Sequence, residues 1–155
     1  MNPADATLIG RIALAALLGY AIGFEREYRG KAAGERTFAL VSLGAAAFTG
    51  WGLERFPDSA DRVIQGIVTG IGFLGAGIIF QREQGMVKGL TTAASAWAVA
   101  SVGILAGSGD YGVAVATTLL VLLLLELAYI PGLRRIQASE LREERQEPPQ
   151  PRPGP

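Results

Sequence analysis

From Val63 to Gln81 the chain runs about twenty residues without a charge, carries five glycines, and is bracketed by Asp61-Arg62 and Arg82-Glu83. A helix of that length roughly spans the ~30 Å hydrocarbon core of a bilayer. In water so many interior glycines would make a poor helix, because each costs about 1 kcal/mol relative to alanine. In lipid the same glycines let helix backbones approach closely. The stretch therefore reads as a packed transmembrane helix.

Further uncharged runs cover Ile12–Phe24, Thr37–Leu53, Gly89–Gly109 and Tyr111–Leu125, the last continuing past a lone Glu126. A water-soluble domain of this length would not contain so many unbroken apolar runs. The expected fold is an all-α membrane protein, a tightly packed, glycine-rich bundle of five transmembrane helices. The spans fall at about 7–25, 37–54, 62–81, 89–108 and 111–131. Residues 1–131 form the membrane domain. Residues 132–155 form a short charged tail, where GLRRIQASELREERQE can make a short helix and PPQPRPGP is expected to be disordered. The first run lacks a basic residue ahead of Arg11, which is not the pattern of a cleavable signal peptide.

Eleven of the fourteen Lys and Arg fall on one side of this arrangement. They are Arg26, Arg29, Lys31 and Arg36 after span one, Arg82 and Lys88 after span three, and Arg134, Arg135, Arg142, Arg145 and Arg152 in the tail. Arg55 and Arg62 lie on the other side, and Arg11 lies within span one. The positive-inside rule then places the N-terminus outside and the C-terminus in the cytosol.

The chain has neither Cys nor His. That removes disulfides, thiolate or imidazole metal sites and every His-dependent catalytic set. No serine-elbow or HExxH pattern is present either, so no catalytic residues are assigned and the protein is not expected to be an enzyme. Oxygen-ligand chemistry for a hard cation such as Mg²⁺ remains open, with Glu25 and Asp61 as the candidate ligands. The expected surroundings are the lipid bilayer, another membrane protein or a second copy of the chain, with no nucleic-acid partner.

Gly70-Ile71-Gly72-Phe73-Leu74-Gly75 matches GxGxxG literally, but it lies inside an apolar span with no preceding strand, so a dinucleotide site is not expected. Gly19/Gly23 and Gly66/Gly70 are GxxxG pairs. Both suit close packing within the chain, and a dimer interface is the alternative. Gly70, Gly72, Gly75 and Gly77 also allow a second arrangement, in which the helix opens there and offers carbonyls to an ion path.

The segment from Glu25 to Thr37 interleaves carboxylates with guanidinium groups, which points to paired contacts rather than simple lipid anchoring. Glu25 directly follows the apolar run, so it needs a partner, for which Arg26, Arg36 and Arg62 are available. Its role is either an ion pair or a functional carboxylate. Asp61 suits a helix start, with Arg62 beside it. Arg11 can snorkel from about one turn inside span one. Glu126, set among leucines near the end of span five, must be neutral or paired.

Taken in order, FEREYRGKAAGERTFALVSLGAAAF, DRVIQGIVTGIGFLGAGIIF and VKGLTTAASAWAVASVGILAGSGDY resemble the MgtC/SapB family of bacterial inner-membrane proteins, over about Gly19 to Thr118. The resemblance implies a five-span inner-membrane protein associated with magnesium limitation, acid tolerance and, in some members, survival inside host cells. Members are often labelled magnesium transporters, and some regulate other membrane machinery, including the ATP synthase. The family's charged motif falls on Glu25, Arg26, Glu27, Gly34, Arg36 and Thr37. Its glycine helix falls on Gly70, Gly72, Gly75 and Gly77, with Gly66 just ahead, and its polar fourth-helix start on Thr91 and Thr92. Glu35 and the Gln65-Gly66 order depart from the family pattern. The charged tail stands where longer members carry a cytosolic domain, so a short form is expected. The implied function is magnesium or cation homeostasis and stress adaptation, through cation sensing or regulation of a membrane partner. Direct transport of Mg²⁺ or protons is the alternative.

Overall fold

The computed structural model describes residues 3–79, 82–83, 86–87, 89–127 and 129. The tail from residue 130 and the ends of spans three and five lie outside the described residues. Five α-helices are present: α1 (Pro3–Tyr28), α2 (Glu35–Arg55), α3 (Ala60–Ile79), α4 (Leu90–Ser108) and α5 (Tyr111–Leu127). A 3₁₀ turn, Pro57–Ser59, leads into α3. Two short strands, β1 (Arg82–Glu83) and β2 (Met86–Val87), pair antiparallel between α3 and α4. The chain divides after Leu122 into two units, so α5 begins in the first and ends in the second.

Among the described residues, three segments are long and apolar enough to cross a membrane: α1, the 3₁₀ turn with α3, and α4. The described part of α5 is a shorter apolar helix of 17 residues. Helix α2 is 21 residues long, but it ends in Glu54-Arg55 and is diluted by Gly, Ala, Ser and Thr. The helices run further than the uncharged stretches because charge does not terminate a helix. Helix α1 continues through Glu25–Tyr28 and stops at Gly30, whose φ of +63° only glycine adopts easily. There Lys31 N–H bonds the Arg26 carbonyl at 3.0 Å and Gly30 N–H bonds the Glu27 carbonyl at 2.9 Å, the two bonds of a Schellman motif.

The bundle core is α1, α2 and α4, held at backbone distance. A Cβ at Gly19 would lie 2.6 Å from the Phe38 carbonyl oxygen, and one at Gly23 would lie 2.6 Å from the Glu35 Cα. These contacts pair rising with falling residue numbers, so α1 and α2 are antiparallel. A Cβ at Gly103 would overlap the Ser42 carbonyl, and one at Gly107 would lie 2.5 Å from the Ala46 carbonyl oxygen. Here both numbers rise together, so α2 and α4 run parallel. Ala15, Ala46, Ala106 and Ala114 form a buried alanine cluster flanked by Ile12, Leu18 and Leu105. Ile22, Phe38, Val99 and Val102 are the large apolar side chains enclosed between helices. Leu17, Phe24, Phe48, Trp97 and Phe73 (82% exposed) point outward instead. An apolar exterior around a core of small residues suits lipid rather than water.

Helix α3 packs at one of its glycines and leaves the others open. It runs unbroken from Ala60 to Ile79, so no opening occurs at Gly70–Gly77. It meets α4 along one edge, where Ile71 and Gly75 are buried and a Cβ at Gly75 would sit 3.7 Å from Ala93 Cβ. A Cβ at Gly66, Gly70, Gly72 or Gly77 would meet nothing within 4 Å, because these glycines lie off that edge. Close packing is carried instead by Gly19 and Gly23, as the sequence led us to expect, and by Gly103 and Gly107.

This difference is measurable. Gly19→Ala and Gly103→Ala force backbones apart and are expected to cost about 1–3 kcal/mol each. Gly66→Ala and Gly70→Ala should be neutral or stabilising by up to about 1 kcal/mol. Thermal unfolding of the detergent-solubilised variants, followed by circular dichroism, tests both halves.

Candidate functional site

The charged segment occupies the end of α1, the following turn and the start of α2. Arg26 is 2% exposed and Glu25 has a side chain 10% exposed. The Arg26 guanidinium grips the adjacent carboxylate with two nitrogens: Nη2 donates to Glu25 Oε1 at 2.6 Å, and Nε donates to Oε2. This bidentate geometry is the strongest form of a charge-assisted pair. Arg29, one turn on, places its Nε 3.6 Å from Glu25 Oε1. Of the three partners foreseen for Glu25, Arg26 is the one engaged. Arg36 is exposed, and Arg62 belongs to the start of α3 at the opposite end of the bundle. The sequence reading missed Arg29, although its i,i+4 spacing from Glu25 was the available signal.

Glu27 does a different job. Its Oε2 accepts the Glu35 backbone N–H at 3.3 Å, so a carboxylate from α1 caps the first turn of α2. A side chain at Gly34 would occupy the place of that carboxylate. The interleaved signs thus have a local cause. Arginine sits at the C-terminal, electronegative end of α1, and carboxylates sit at the N-terminal, electropositive end of α2. Arg36 and Thr37, in the first turn of α2, remain exposed.

The other candidates are scattered. Thr92 is buried near the start of α4, whereas Thr91 is exposed and its carbonyl accepts the Ser95 hydroxyl at 2.7 Å. Asp61 and Arg62 are exposed in the first turn of α3. Glu126 is exposed in the last turn of α5, within the second unit. Among the described residues no three Asp or Glu come together as a cation site. Both Glu25 oxygens are occupied by Arg26, so a cation there would have to displace a guanidinium. Gly66 and Gly70 line an apolar cleft of about 380 Å³ between α2 and α3, together with Leu40, Phe48, Ile67 and Leu74.

Arg11 reaches the turn between α4 and α5. Helix α1 starts at Pro3, so Arg11 lies two turns in, where it bonds the Gly107 carbonyl at 3.1 Å and the Tyr111 hydroxyl at 3.2 Å. Nothing in the sequence pairs residues a hundred positions apart.

The MgtC family profile matches residues 12–130. The chain belongs to the MgtC family. It is 49% identical over 108 residues to Protein MgtC of Salmonella typhimurium (strain 14028s / SGSC 2262), covering 70% of this chain and 46% of that protein. It is 52% identical over 99 residues to Protein MgtC of Brucella abortus (strain 2308), covering 63% and 41%. A candidate magnesium transporter of Escherichia coli (strain K12), YhiD, is 41% identical over 131 residues, covering 79% and 60%. The chain spans about half the length of the curated relatives it matches. No solved structure matches it. Family and fold together make this a multi-pass protein of the bacterial inner membrane.

Removing the counter-charge of a buried ion is expensive. Glu25→Gln is expected to cost about 3–5 kcal/mol by stranding Arg26. Arg36→Gln, on the surface, should stay within about 0.5 kcal/mol of the parent. Melting curves of the two variants in detergent give the comparison, and parental stability for Glu25→Gln would refute the structural role of the pair.

Proposed function

We propose that this protein serves magnesium or cation homeostasis without enzymatic activity, by regulating a membrane partner or sensing a cation rather than by conducting the ion. The magnesium link rests on family membership and on the name carried by the YhiD relative. The regulatory reading rests on one observation: Glu25 is committed to Arg26 and one oxygen of the exposed Glu27 to the start of α2, while Arg36 and Thr37 face outward. A conduction path needs acidic or carbonyl oxygens free to replace water around a hard cation. An outward guanidinium beside a hydroxyl is instead suited to meeting another protein. All five helices cross the membrane in this reading, with the charged motif on the cytosolic side in accord with the arginine distribution.

Direct transport is the second reading, supported by the YhiD name alone. Two measurements separate them. In a host lacking its own family member, Arg36→Gln is expected to abolish growth in magnesium-poor medium at normal membrane abundance. Purified protein in proteoliposomes is expected to give no Mg²⁺ flux above empty vesicles. Robust flux that survives Arg36→Gln would replace regulation by transport.

A further inference from the structure

At the end of the bundle opposite Glu25, one side chain bridges three helices. Arg11 of α1 is half-buried, and its Nη1 donates to the Gly107 carbonyl in the last turn of α4. That carbonyl belongs to the electronegative helix end, which favours a cation. Its Nε donates to the hydroxyl of Tyr111, the first residue of α5. Its Nη2 lies 3.0 Å from where a Cβ at Gly109 would be, and Gly109, at φ +98°, ends α4 with its N–H on Ala106 and Leu105 carbonyls. The guanidinium therefore lies at the α4–α5 turn, where a side chain at Gly109 would crowd it.

Past Tyr111 the first part of α5 is thinly attached. Among residues 111–122 only Ala114 and Thr118 are buried, a stripe one residue wide, whereas α4 buries ten. Ala114 rests on the alanine patch of Ala15, Ala46 and Ala106. Thr118 closes its hydroxyl on the Ala114 carbonyl at 2.9 Å, which gives no bond to a neighbouring helix. Valines and leucines at 113, 115, 119 and 120 face outward. In lipid, burying apolar side chains against a neighbouring helix brings little net gain, because the acyl chains are equally apolar. Directional hydrogen bonds then carry a larger share of the attachment.

We propose that Arg11 is a latch: its bonds to Gly107 and Tyr111 hold the start of α5 in the bundle, and their release lets residues 111–122 leave the alanine patch. Opening uncovers Ala15, Ala46 and Ala106, a smooth small-residue face. The proposal stands independently of the regulatory reading above, because it concerns a moving part and not its use.

The chain has no native cysteine, so introduced spin-label pairs report without background. Labels at Leu17→Cys on α1 and Leu119→Cys on α5, both at exposed positions, measure the α1–α5 separation in lipid nanodiscs by electron–electron double resonance. A second pair, Leu40→Cys on α2 and Trp97→Cys on α4, reports the rest of the bundle. The parent should give one dominant 17–119 distance. Arg11→Gln should add a longer one, its share raised about three- to twentyfold for each membrane hydrogen bond lost, and Tyr111→Phe should add a smaller share. Throughout, the 40–97 distance should not move. The latch is overturned by an unchanged 17–119 distribution in Arg11→Gln, or by equal broadening of both pairs, which would mean general loosening.

Discussion

The backbone contact between α2 and its two neighbours is the constraint on which everything else rests. In lipid, helices do not associate by escaping water, so they must gain from close approach itself. Gly19 and Gly23 bring α1 onto the Phe38 and Glu35 backbone, and Gly103 and Gly107 bring α4 onto the Ser42 and Ala46 carbonyls. Helix α2 is thus clamped along most of its length. Its N-terminal turn is fixed in space as a result, and the acidic cap from Glu27 can reach it.

That placement turns a charge-dense segment into an ordered one. The turn after α1 is closed by Gly30, the start of α2 is closed by a carboxylate from the preceding helix, and Arg26 is folded inward onto Glu25. Glu27, Tyr28, Lys31, Arg36 and Thr37 stay on the exterior. Membership of the MgtC family says that such an arrangement sits in a bacterial inner membrane. The geometry says which of its charges are available to anything outside the chain.

Helix number and order were legible in the sequence because uncharged runs report them directly. Helix ends were less so: charge marks where a segment leaves apolar surroundings, while Gly30 and the Pro57–Ser59 turn mark where the backbone changes course. The glycines show the limit most plainly. Gly19/Gly23 and Gly66/Gly70 have the same spacing, yet one pair is pressed against α2 and the other faces open space. Spacing states that a helix can be approached closely, and only the tertiary arrangement states whether it is. The Glu25–Arg26 pair was within reach of local reasoning, whereas the Arg11 contacts depend on the α4–α5 turn arriving beside α1.

Because Glu25 and Arg26 are consecutive residues, their union needs no other helix in place. A nascent first helix can pair its own guanidinium before α2 has emerged, so that both groups are buried together as a net-neutral ion pair. The most enclosed cation among the described residues thus needs no partner made later in the chain.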